Sequence, residues 1–142
     1  MTINKEAASV YKSLGVRPAI TASGATTMYG GSKLRPEVYD VMNKASSVMV
    51  NIDELNIKAG KAIADMIGVE AAMITSGSGG GLILQAAACI AGSDPAKMSK
   101  LPDTAGMKNE IIIHKSHRFA YDQLYRAAGA KLIDIGDALR VH

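Results

Sequence analysis

An α/β fold with mainly parallel strands is what this sequence predicts, and three observations carry it. Runs of strand length, Ala71–Thr75, Glu110–His114 and Lys131–Ile135, alternate with stretches of helical periodicity. Glycines stand at the ends of helical stretches, at Gly15, Gly68 and Gly129, where helices commonly stop. Alternation of this kind joins parallel strands through crossover helices. Composition agrees: 48% of the 142 residues are hydrophobic and 20% charged, ordinary globular usage that excludes a disordered chain. Aromatics are scarce, so the core is expected to rest on Ile, Val, Leu, Ala and the eight Met.

Asn4–Leu14 is predicted helical, because Ala7, Val10, Tyr11 and Leu14 recur at helical spacing. Val16–Ile20 is predicted extended, since Pro18 biases its predecessor away from helix. Thr21–Ser32 is a polar, glycine-bearing loop whose length suggests a function. Pro36 suits the first turn of a helix that Val38, Val41, Met42 and Ala45 continue. A longer helix is predicted over Ile52–Ile67, with Leu55, Ala59, Ala62, Ile63 and Met66 on its inner face. After the Ala71–Thr75 strand comes a glycine-rich turn, Ser76–Gly81. Leu82–Ile90 then reads as a buried helix, rich in Ala and Leu and poor in β-branched residues. Gly92–Asn109 is predicted to be loop, punctuated by Pro95 and Pro102. Three isoleucines make Glu110–His114 the strongest strand. His117–Ala128 is predicted helical and Lys131–Ile135 extended. A parallel sheet of only three strands, the last close to Val141 and His142, is expected to be an incomplete one.

Several function classes recede on composition and spacing. The net charge is +3 and the basic residues form no run, which argues against nucleic-acid binding as the main role. No apolar run approaches the roughly 20 residues that cross a bilayer, and the N-terminus has no secretory pattern, so no membrane association and a cytoplasmic location are expected. Cys89 is alone, inside an apolar helical stretch, and is expected to be a small buried hydrophobe. Asp53 and Glu54 fall near a helix start, where carboxylates complement the dipole. Asp103 belongs to a turn.

Thr75-Ser76-Gly77-Ser78-Gly79-Gly80-Gly81 is the most informative segment. It joins a predicted strand to a predicted helix, the place where open α/β sheets bind ligands. Glycines let the backbone approach an anion, and the amides and dipole of a helix start attract one. The segment lacks the Gly-Lys-Ser/Thr ending of a P-loop, and Leu82 occupies the last glycine position of the dinucleotide fingerprint. A tight turn that binds nothing is the alternative. His114 and His117 leave three readings open: a metal pair, one packed and one solvated ring, or a flat ring at a strand end that covers a flat cofactor.

Taken together, five segments resemble one family: Leu14–Gly24, Asn51–Leu55, Ile74–Gly81, Leu101–Glu110 and Lys115–Arg118. The chain is similar to the pyridoxal 5'-phosphate (PLP)-dependent proteins related to bacterial selenocysteine synthase, the L-seryl-tRNA selenium transferase. Within them it most resembles the branch that includes 2-amino-2-deoxy-gluconate-6-phosphate ammonia-lyase. The resemblance covers nearly the whole chain.

That resemblance implies a fold type I PLP-dependent transferase of the aspartate aminotransferase-like kind, three-layered and considerably longer than this chain. Residues 1–50 would form an N-terminal arm and substrate-side loop, and 51–142 the first part of the PLP-binding large domain. Gly77, Ser78 and Gly79 would hold the cofactor phosphate, supported by Ser76 and Gly80. His117 would stack on the pyridine ring, and Ser23 and Gly24 would lie near a small-molecule amino substrate. A homo-oligomer is implied. The family places the lysine that binds PLP covalently, and the carboxylate that pairs with the pyridine nitrogen, after these segments. Lys115 and Lys131 match neither position. The expected reaction is elimination of ammonia from an amino sugar acid phosphate. The alternatives are seryl-tRNA selenium transferase-like transfer with a tRNA partner, a non-catalytic truncated fragment, and a nucleotide-binding module.

Overall fold

A computed structural model describes residues 5–137. Asn4, the expected first residue of the opening helix, lies outside the described residues, as do Val141 and His142. The chain divides into two compact units, one ending at Val50 and one starting at Asn51.

The N-terminal unit contains α1 (Lys5–Lys12) and α2 (Pro36–Ala45). α1 stops two residues before Leu14, where Leu14 and Gly15 donate to the carbonyls of Tyr11 and Lys12 and Gly15 takes φ +69°. Val16–Ile20 has no regular secondary structure. The loop after it holds a 3-10 turn at Thr27–Tyr29, closed by Gly30 and Gly31 at positive φ. Pro36 is the first residue of α2, where its missing N–H costs nothing. None of residues 8–50 is buried.

The C-terminal unit is mixed α/β. α3 (Ile52–Ile67) has the predicted bounds, and both ends follow from its sequence. The Asn51 side chain accepts from the Glu54 amide at 3.0 Å, and Gly68 closes the helix at φ +71°. The predicted inner face is a correction. Leu55, Ala62, Ile63 and Met66 are exposed, and the residues that α3 buries are Gly60 and Ala64. The cause is close backbone approach: the Ala72 carbonyl sits where a β-carbon on residue 60 would be.

The strand predicted at Ala71–Thr75 does not form. A strand exists only through its ladder partner, and the sheet among the described residues has two strands, β1 (Glu110–His114) and β2 (Lys131–Ile135). Met73, 69% exposed, and Ile74 show how little covers the 71–75 segment. β1 and β2 have the predicted bounds and run parallel, with Glu110 opposite Lys131 and His114 opposite Ile135. A parallel pair needs a crossover, and residues 115–130 supply it.

Helix α4 (Ser78–Ala91) starts four residues before the expected Leu82, so Gly79, Gly80 and Gly81 are helical. It buries Ala86, Ile90 and Ala91 and packs against α5 (Pro95–Met98) and α6 (Gln123–Ala127). α5 falls in the stretch predicted to be loop. Asp94 makes it, accepting from the Ala96 and Lys97 amides with Pro95 at the first helical position. The helix predicted over His117–Ala128 is broken into 3-10 turns at Lys115–His117 and Ala120–Asp122 followed by α6. Phe119, at φ −156° and ψ 173°, interrupts it.

Alanine dominates the small core: Ala64, Ala86, Ala91, Ala128 and Ala130 are buried, with Ile90. Methionine does not contribute as expected, since Met66 is 82% exposed and Met28, Met49 and Met73 lie on the surface too. Cys89 is also exposed, against expectation. Ala86, Ile90 and Ala91 are the buried residues of α4, and Cys89, on the cleft between α4 and the sheet, stays open to solvent. Among the described residues no helix is long and apolar enough to cross a membrane.

Candidate functional site

The start of α4 is built from the glycine segment. Gly77 is its N-cap, at φ 121° and ψ 170°, a conformation open to glycine and closed to residues with a β-carbon. The first helical bond runs from the Gly81 amide to the Gly77 carbonyl at 3.1 Å. Ser78, Gly79 and Gly80 are therefore first-turn residues whose amides have no intrahelical acceptor. No side chain caps them and no acidic residue lies in the first turn. α3 differs, with its Asn51 cap and with Asp53 and Glu54 in its first turn. Ser76, Gly77 and Ser78 are exposed. An exposed helix start that its own side chains leave uncompensated accepts an anion, because the amides point outward and the dipole adds about half a positive charge.

The turn is held from beneath. Thr75 Oγ1 donates to the Gly77 carbonyl at 2.9 Å. A β-carbon on Gly80 would stand 3.0 Å from Ser76 Oγ, so a larger residue there would push the serine hydroxyl aside by a few tenths of an ångström. A β-carbon on Gly79 would meet Leu124 of α6 at 3.6 Å, which places the start of α4 beside α6.

His117 lies beyond the carboxyl end of β1, in the Lys115–His117 turn, and is exposed. Its ring centroid is 5.5 Å from that of His114, with 53° between the planes. His114 caps the turn: its Nδ1 accepts from the Ser116 amide at 3.3 Å and is 2.7 Å from Ser116 Oγ. Among the described residues no group of three His, Cys, Asp or Glu side chains gathers as metal ligands.

Sequence reasoning missed an ionic cluster next to His117. Arg118 pairs through Nε with Asp122 and through a terminal nitrogen with Asp134 of β2. Asp122 is 3% exposed, and its other carboxylate oxygen is buried without a partner among the described residues. The hydrogen bond from Arg118 holds the Asp122 carboxyl below its ordinary value, against the opposing effect of burial, with help from a Phe119 backbone hydrogen bond. The same contact raises Arg118. The Arg-x-x-x-Asp spacing was a signal only for a continuous helix; here Arg118 and Phe119 are extended and the pair meets across the break before the Ala120–Asp122 turn. The cluster ties the segment after His117 both to the start of α6 and to β2.

Within the C-terminal unit, then, Gly79 adjoins Leu124 of α6, and His117 precedes α6 in the same crossover. Ser23 and Gly24 belong to the N-terminal unit. There the Ser23 hydroxyl is 2.8 Å from Thr21 Oγ1 and 3.0 Å from Thr26 Oγ1, and Gly24 has φ +79°. A separate cleft of about 240 Å³ lies between α4 and the sheet, bordered by Gln85, Cys89, Ile111, Ile113, Tyr125 and Leu132. None of the predicted site residues lines it.

The chain resembles parts of known enzymes. The chain is 31% identical over 134 residues to D-glucosaminate-6-phosphate ammonia lyase of Salmonella typhimurium (strain 14028s / SGSC 2262), covering 92% of this chain and 36% of that protein. It is 31% identical over 131 residues to 5'-C-glycyluridine monooxygenase-decarboxylase of Streptomyces sp, covering 89% of this chain and 33% of that protein. The solved structure of a D-glucosaminate-6-phosphate ammonia-lyase superposes with a TM-score of 0.86 at 32% identity, over 97% of this chain and 37% of that one. The chain thus spans about a third of the length of the curated relatives it matches. No protein-family model matches it.

Proposed function

We propose that this chain supplies the phosphate-gripping part of a fold type I PLP-dependent enzyme, and that the complete enzyme eliminates ammonia from an amino sugar acid phosphate. The observation behind the reading is the uncapped, exposed start of α4 in a chain whose likeness to D-glucosaminate-6-phosphate ammonia lyase extends over 92% of its length. A phosphate monoester suits that helix start: it is anionic, it takes several hydrogen bonds, and no carboxylate in the first turn repels it. Ser76, Gly77, Ser78, Gly79 and Gly80 would hold the phosphate, and the exposed ring of His117 would cover the pyridine face. Ser23 and Gly24 are proposed to lie on the substrate side, and the working enzyme to be a homo-oligomer. When bound, PLP supplies the electron sink for chemistry at the amino-bearing carbon, while the protein supplies binding and orientation.

A second reading has its own support. A relative of equal identity is named for a glycyluridine, a nucleoside carrying a glycyl unit, and for monooxygenation with decarboxylation rather than ammonia loss. Both relatives' names describe substrates with an amino-bearing carbon. Action on an amino compound is common to the two readings, and the bond that breaks separates them.

Titration of the purified chain with PLP, pyridoxal, inorganic phosphate and a nucleoside triphosphate tests the cradle. Saturable PLP binding, competed by phosphate and at least about tenfold tighter than pyridoxal binding, is expected. Binding of the nucleotide alone would overturn the reading. Ammonia release from D-glucosaminate-6-phosphate by the complete enzyme, against carbon dioxide release from a glycyl nucleoside, decides the reaction.

A further inference from the structure

We infer that His114, which has no part in the proposed cradle, is the positioning residue for His117. Its imidazole latches the Lys115–His117 turn to the carboxyl ends of both strands. The inference rests on the reading of His117 as a cofactor-facing ring.

The geometry begins at Nδ1. A ring nitrogen that accepts from the Ser116 amide keeps its lone pair there, so in the neutral ring the proton sits on Nε2. Ser116 Oγ, 2.7 Å from the same nitrogen, joins the contact. The side chain of His114 thus caps the short turn that carries His117 as its third residue.

The other edge of the ring faces β2. Nε2 is buried and has no hydrogen-bond partner among the described residues. Gly136 directly follows Ile135, the register partner of His114. A β-carbon on Gly136 would collide with Nε2 and crowd Cε1 at 2.9 Å, and the residue has φ +70°. The exit of β2 is therefore shaped around the imidazole: glycine provides both the space and the backbone angle. A ring seated between two strand ends, with its Nδ1 committed to the Ser116 amide, leaves that turn little freedom. His117 inherits the position.

The test uses the full chain and four variants. His114→Leu keeps bulk and removes the acceptor, whereas His114→Asn keeps an oxygen that accepts from the amide two residues on. Gly136→Ala dislodges the ring, and His117→Ala removes the proposed stacking group. Amide hydrogen exchange at Ser116, the PLP dissociation constant and the visible circular dichroism of bound PLP are read for each, beside thermal melts. His114→Leu is expected to speed exchange at Ser116, weaken PLP about five- to tenfold and change the dichroic band. Gly136→Ala acts in the same direction, and His114→Asn restores all three readouts. Wild-type PLP affinity and dichroism in His114→Leu, with both altered in His117→Ala, would overturn the inference alone. Unaltered PLP binding in His117→Ala would overturn the reading of His117 and the inference with it.

Discussion

The carbonyl oxygen of Ala72 occupies the position that a β-carbon on Gly60 would take. At Gly60, α3 therefore meets the chain at Ala72 backbone to backbone, without a side chain between them. Gly60→Ala is expected to push the two apart and to destabilise the chain by about 1–3 kcal/mol, the usual range for overpacking. A denaturant melt measures it, and a midpoint equal to that of the unmodified chain would show that the contact yields freely.

The start of α3 gives a smaller and cleaner effect. Asn51 accepts from the Glu54 amide at 3.0 Å. Asn51→Ala should cost about 1 kcal/mol, as removal of an N-cap generally does. Asn51→Asp retains the acceptor, adds charge at the positive end of the dipole, and should lose nothing. Thermal melts of the pair decide it.

The glycines of α4 are expected to separate by role. Gly81 is helical, and a β-carbon there would meet Thr75 Oγ1 at an ordinary 3.5 Å. Gly81→Ala should stabilise by about 0.5–1 kcal/mol through reduced chain entropy. Gly77, at φ 121°, has no such freedom, and Gly77→Ala should destabilise by more than about 1 kcal/mol and weaken phosphate binding. Calorimetry of both variants with and without inorganic phosphate reads the two effects separately.

Asp122 makes stability depend on pH in a stated direction. Its folded carboxyl titrates below the ordinary value because Arg118 bonds the ionised form. The resulting stabilisation is complete above the unfolded carboxyl value of about 3.9 and is lost as pH falls through the lower folded value. Melting temperature should therefore fall as the pH drops below about 4, and the fall should be shallower in Asp122→Asn. Equal acid slopes in the two proteins would remove Asp122 from the account.

Particular residues show how far the sequence was legible. α3, β1 and β2 have their predicted bounds because each carries its own signal: an Asn51 cap with a Gly68 stop, three isoleucines in a row, and a short apolar run after Gly129. The candidate cradle was visible for the same reason, since the glycines, the serines and the absent acid are all local. Ala71–Thr75 misled because its apolar pattern suits a strand while pairing depends on a distant partner. The inner face of α3 misled because periodicity counts side chains, whereas burial there was set by the missing side chain of Gly60.

For this protein, local chemistry alone determined the bounds of α3, the two segments β1 and β2 as strand-forming runs, and the glycine stretch that opens α4. Tertiary structure alone decided that α4 reaches back to Ser78, that Arg118 bridges Asp122 and Asp134, and that His114 lies wedged against Gly136. The division has one physical cause. Caps, glycine torsions and β-branching act within a few residues, but an ion pair or a shared cavity exists only after chain segments distant in sequence have been brought together.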